Sequence, residues 1–150
     1  MTQTEQANQR LFELNQAYSS NTARKENLEK NLECYKNDLK VIGELETDVN
    51  WGKNFLNNAK NYLEDAKKSF NENYNGNKLL KTNRKLLENQ KKIENFMNKI
   101  ENETKEQLQR AKEECKKNIE ECERQISECQ TNIGNINTEM RHWMNVLHIV

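Results

Sequence analysis

The chain has 150 residues with 24 basic and 24 acidic side chains, and 32% of it is charged while only 33% is hydrophobic. Neutrality excludes the strong basic excess of a dedicated nucleic-acid binder, and the low apolar content argues against one compact globule with an ordinary core. Such a chain can fold if its apolar residues form a narrow stripe on long helices, and it contains no proline, where an average domain of this length carries about seven.

A first helical arm is expected over about residues 3–72. Its cleanest stripe is Ile42, Leu45, Val49, Gly52, Leu56, Ala59, Leu63, Ala66 and Phe70, stepping three and four in strict alternation, the signature of a helix packed along one seam. Upstream, Leu11, Leu14, Tyr18, Leu28, Leu32, Tyr35 and Leu39 continue it less densely. The stretch from Ser19 to Asn27 has almost no apolar residues and is where the helix would fray or be interrupted. Asn50-Trp51-Gly52 could be a loop in isolation, but its neighbours keep the heptad, so the helix is expected to run past the glycine.

A turn is expected over about residues 73–80. Tyr74-Asn75-Gly76, within an Asn-rich segment, tolerates the left-handed backbone that ends helices, and Thr82 or Asn83 would cap the next arm.

The second arm, about residues 81–147, carries Leu86, Ile93, Met97, Ile100, Leu108, Ala111, Cys115, Ile119, Cys122, Ile126, Cys129, Ile133, Ile136, Met140, Trp143 and Leu147, with Gln90 and Thr104 filling two places. Steps of four followed by four, through Thr104 to Leu108 and through Cys115 to Ile119, read as stutters that relax the supercoil. If the chain reverses near Gly76, facing residues have numbers summing to about 152. Gly52 then meets Ile100, Ala59 meets Ile93 and Ala66 meets Leu86, small against large across the seam, as close packing requires. The fold class is therefore all-α, a single long antiparallel two-helix hairpin over residues 1–150.

Such a hairpin leaves an apolar ridge beside its seam, with Val41, Trp51, Phe55 and Tyr62 on the first arm and Leu79, Leu80, Leu87 and Phe96 on the second. Exposed apolar ridges mark contact surfaces. Trp51, Phe55, Tyr62, Leu79, Leu80 and Phe96 are the expected interface with a helical partner or a second copy, completing a four-helix bundle.

Little in the chain suggests chemistry. Cys115, Cys122 and Cys129 recur every seven residues, a rise of ~10 Å per step that is too long for one metal ion. They read as small buried hydrophobes, although the register also brings Cys34 near Cys115 or Cys122 for a conceivable disulfide. His142 and His148 do not share a helix face well, and there is no glycine-rich phosphate loop. The expectation is a non-enzymatic protein with no catalytic, cofactor or metal site and no small-molecule substrate. Between Lys78 and Lys92 the chain has Lys78, Lys81, Arg84, Lys85, Lys91 and Lys92 against only Glu88, a basic tip that reads first as a solvated face. The apolar segment Trp143 to Val150 would dock on a partner or on the start of the first arm. No apolar run reaches the ~18 residues of a membrane span, and the N-terminus lacks signal-peptide features. Cytosolic synthesis is expected, with any export using a route that reads no cleaved signal.

Two amphipathic helices joined at the aromatic-x-Gly turn Tyr74-Asn75-Gly76 resemble the Trp-x-Gly helical hairpins of type VII (ESX-like) secretion. The long arms are more similar to the YwqH-like small proteins that accompany LXG toxins. The resemblance implies an adaptor that pairs with the helical N-terminal region of a toxin or with another small hairpin. Tyrosine stands where the family has tryptophan. None of Tyr18, Tyr35, Tyr62 and Tyr74 has an acidic residue four positions on, so an export signal would have to come from the partner. The competing expectation is a homomeric structural coiled coil with no secretion role, which the regular heptads suit equally well.

Overall fold

The computed structural model describes residues 2–73 and 77–149, the side chains of 70–80 and 149 apart. All its elements are helical: α1 (Gln3–Asn73), α2 (Asn77–Lys99), a π-helical turn (Ile100–Thr104) and α3 (Lys105–Ile149). The chain is the expected all-α antiparallel hairpin. The motif Tyr74-Asn75-Gly76 lies outside the described residues. Because α2 already begins at Asn77, Thr82 and Asn83 sit inside the helix and do not cap it.

A capping box starts α1. The Thr2 hydroxyl accepts the Glu5 N–H at 3.2 Å, and the Thr2 N–H donates to the Glu5 carboxylate at 2.7 Å, satisfying two donors that a helix start otherwise strands. The helix then runs 71 residues without interruption, so the apolar-poor stretch Ser19 to Asn27 neither frays nor breaks. Asn21 occupies the heptad place between Leu14 and Leu28. Its side-chain N–H donates to the Ala17 carbonyl at 2.9 Å, and its side-chain oxygen accepts from Asn132 of α3 at 3.4 Å. The pair is exposed and lies at the edge of the seam.

The chain forms two compact units, residues 1–38 with 114–150 and residues 39–113. In unit 1 the buried apolar residues are Ala7 and Leu14 from α1 and Cys115, Cys122 and Cys129 from α3. Register is held by Arg10 donating to Glu139 at 2.7 Å, by Lys36 with Glu123 at 3.8 Å, and by Arg24 donating to Gln125 at 3.3 Å. The apolar end of α3 belongs to this unit, with Trp143, Val146 and Leu147 half-buried. That favours docking on the first arm for part of this segment.

Unit 2 pairs Ile42, Val49, Leu56 and Leu63 of α1 with Leu86, Ile93, Met97, Ile100 and Leu108, all half-buried. One flank of this seam is ionic: Glu46 meets Lys112 at 3.0 Å, Lys60 meets Glu94 at 3.2 Å, and Lys53 pairs with Glu101. The Lys53 and Lys60 pairs follow the expected antiparallel register to within about a turn, and Glu46 reaches a partner further along α3. This last pair also displaces two seam residues. Glu46 takes the place expected for Leu45, which is exposed, and Lys112 takes that of Ala111, also exposed. A long side chain that covers the seam with its methylenes and ends in an ion pair outcompetes the apolar neighbour. Gly52 is not required by close packing, since a Cβ built there meets nothing within 4 Å.

The four-and-four step at Thr104 is not a stutter. The Lys105 N–H bonds to the Ile100 carbonyl, five residues back, so a π-turn absorbs one extra residue. With Lys112 in the seam, the line Leu108, Lys112, Cys115, Ile119 steps four, three and four. The second expected four-and-four step thus moves from Cys115 to Leu108.

Candidate helix-docking site

On α1, positions 41, 45, 48, 52, 55, 59, 62 and 66 form a second three-and-four series one flank away from the 42–49–56–63 seam, on the side opposite the ion pairs. Val41, Leu45, Phe55 and Tyr62 of this series are exposed, and so is Trp51 beside them. The aromatic residues are the most open: Tyr62 is 78% exposed, Trp51 71%, Phe96 of α2 65% and Phe55 61%. Trp51 stacks on Phe55 with ring centroids 5.9 Å apart and planes inclined by 15°, so two side chains four apart present one continuous apolar surface.

Beside them lies an open groove of about 720 Å³ within unit 2, its floor made by Ala59, Leu63 and Ile93 and its rim by Phe55, Asn58, Tyr62, Asn89 and Lys92. The groove exists because Ala59 sits where a larger residue would fill the space between the helices. The structure therefore brings Phe55 and Tyr62 together on one groove and places Trp51 against Phe55. Phe96 is on the same side of α2 as Asn89 and Lys92, one helical turn from the rim. The side chains of Leu79 and Leu80 fall outside those described.

The second concavity of unit 2, about 210 Å³, is lined by Glu46, Val49, Asn50, Lys105, Leu108 and Gln109. Its charges are already engaged, Glu46 with Lys112 and Lys105 with Glu101 at 3.2 Å.

The cysteines separate into two classes. Cys115, Cys122 and Cys129 are buried in unit 1, whereas Cys34 is exposed, and all four are free thiols. The Cys115 thiol donates to the Tyr35 carbonyl at 3.4 Å. Burial, with the negative charges of Asp38 and Glu114, pushes its pKa up, which keeps it protonated and unreactive. The imagined disulfide to Cys34 is not formed. Among the described residues no group of three or more His, Cys, Asp or Glu is placed to hold a metal ion, and no helix is long and apolar enough to cross a membrane.

The shifted carboxylates belong to unit 1. Hydrogen bonds from Arg124 and then Gln125 hold Glu121 at about 2. Glu139 is lowered chiefly by the hydrogen bond from Arg10. Both report surface ion pairs, of the kind that contribute little each. No known family model, curated protein or solved structure matches the chain.

Proposed function

We propose that the protein is a non-enzymatic partner or adaptor that receives another amphipathic helix on unit 2, over Trp51, Phe55, Tyr62 and Phe96. The observation that carries this reading is the juxtaposition of four aromatic side chains, each more than 60% exposed, with a groove of about 720 Å³. Aromatic anchors beside an open groove are the residues from which helical interfaces draw most of their energy. A water-exposed patch of this kind is costly to keep unless something covers it.

The resemblance to type VII-associated hairpins extends the proposal. The partner is then the helical N-terminal region of a toxin, or another small hairpin, and the protein leaves the cell only with a partner that supplies the export signal.

The test is affinity capture of the tagged protein from its native cells, in parallel with the variant Phe55→Glu/Tyr62→Glu. A toxin or small hairpin recovered by the parent chain and lost by a variant of unchanged helicity supports the proposal. Equal recovery by both chains removes the face from the argument, and recovery of the protein alone favours a homomeric coiled coil.

A further inference from the structure

One column of charge in unit 2 forms no ion pair among the described residues. Lys85, Lys92 and Lys99 repeat every seven residues along α2, and Lys78 precedes them at the same spacing in the sequence. Lys92 lies on the rim of the groove, so Lys85 and Lys99 repeat that position one heptad to either side. All three are exposed. Among the described residues none is in an ion pair: Glu94 of α2 and Glu101 of the π-turn pair with Lys60 and Lys53 on the opposite flank, and Glu88 and Glu103, at helical spacing from the column, bridge to none of its lysines. The column ends at the π-turn Ile100–Thr104, where one extra residue rotates the following helix out of register. The next residue at the same spacing is Glu106.

In helix-to-helix packing, charges flanking an apolar seam select the partner and fix its orientation. We propose that the helix docking over Phe55 and Tyr62 carries an acidic residue at every seventh position along the edge that meets α2, opposite Lys85, Lys92 and Lys99. This inference rests on the docking reading above and names the chemistry of its partner. The α1 side of the groove sets no matching demand. Its rim residues Phe55, Asn58 and Tyr62 are uncharged, so the acidic edge of the partner faces one way only. A second copy of this chain is a poorer occupant through its α2, since that helix carries the same lysine column. From Lys85 to Lys99 the column spans roughly 21 Å of helix, which calls for a partner helix of at least two heptads.

The test uses two fluorescein-labelled designed helical peptides of about 28 residues, identical in their Leu/Ile stripe and differing only in having Glu or Lys at the flanking positions. Each is titrated with the full-length protein by anisotropy at low and at physiological salt. The Glu peptide is expected to bind about tenfold more tightly than the Lys peptide at low salt, with the gap narrowing as salt is added. The triple variant Lys85→Glu/Lys92→Glu/Lys99→Glu is expected to reverse the preference, and Phe55→Glu/Tyr62→Glu to abolish binding of both. Equal affinity for the two peptides, or a preference unchanged in the triple variant, overturns the charge inference and leaves the docking face intact. Failure of both peptides to bind overturns the docking reading with it. Binding of a duplex oligonucleotide in place of the Glu peptide assigns the lysines to phosphate and overturns the proposal.

Discussion

Among the exposed large apolar side chains, unit 1 carries Phe12, Tyr18 and Met144, while unit 2 carries Val41, Leu45, Trp51, Phe55, Tyr62, Leu87 and Phe96. Burial runs the other way, since among the described residues the five buried apolar ones (Ala7, Leu14, Cys115, Cys122 and Cys129) belong to unit 1. Charge differs too. Unit 1 has nine basic and 12 acidic residues, and unit 2 has 15 and 12. The two units share a helical hairpin design and use their apolar residues for different ends. Unit 1 turns them into its own seam, where cysteines let the helices close. Unit 2 keeps a narrower seam, secures one flank with ion pairs, and leaves its aromatics outside. The contrast is between a part that buries its apolar residues and a part that leaves its aromatic side chains exposed.

The sharpest way to break that contrast is to truncate one residue of each kind. Leu14→Ala should cost about 3 kcal/mol in chemical denaturation, because Leu14 is 4% exposed and its loss leaves a cavity. Phe55→Ala should change stability by less than about 0.5 kcal/mol, as an exposed side chain does. Comparable losses at the two sites would mean that Phe55 serves the fold of unit 2 and not a partner.

Glycine substitutions give a smaller effect of opposite sign. A Cβ at Gly52 in unit 2, or at Gly134 in unit 1, meets nothing within 4 Å. Each change to Ala should therefore raise stability by about 1 kcal/mol through helix propensity alone. A loss at Gly52 would restore the close packing that the sequence pattern suggested. Thiol labelling sharpens the burial comparison without mutation. Under native conditions Cys34 should react with a maleimide promptly, while Cys115, Cys122 and Cys129 stay protected until the protein unfolds. Early modification of Cys122 or Cys129 would show that unit 1 opens more readily than its burial implies.

The smallest effect is acid sensitivity in unit 1. Glu121 and Glu139 have folded-state pKa values below the ordinary carboxylate value, so the stability they add is present above the unfolded value. It is lost as pH falls from about 4.5 toward about 2, the folded value for Glu121. Carboxyl resonances followed by NMR titration should show Glu121 as the last of the unit 1 glutamates to protonate. A midpoint in the ordinary range would remove the Arg124 clamp.

Much of the fold was legible because its signals are local and repeated. Heptad steps over both arms and the lack of proline were enough to expect two long antiparallel helices, and the exposed aromatics at Trp51, Phe55, Tyr62 and Phe96 followed from their offset to the seam. The capping box Thr2-x-x-Glu5 was equally legible, a local motif that a search for apolar periodicity passes over. The continuity of α1 through Asn21 was not. The apolar spacing lapses there, and the inter-arm contact at that point is an amide pair with Asn132, which lies 111 residues away in the chain.

What the sequence determined alone is the helical periodicity and the antiparallel pairing that follows from it. Both come from the spacing of apolar residues along a rigid 3.6-residue turn. Tertiary structure decided which of two neighbouring residues enters the seam. Glu46 displaces Leu45 and Lys112 displaces Ala111 because the two helices bring a carboxylate and an ammonium to 3.0 Å, a gain that neither helix has by itself. That choice turns Leu45 outward on the same flank of α1 as Phe55 and Tyr62, and the π-turn at Ile100–Thr104 ends the lysine column. Which apolar residues stay exposed on unit 2 is thus a product of how two stripes fit each other, which the spacing within one stripe does not contain.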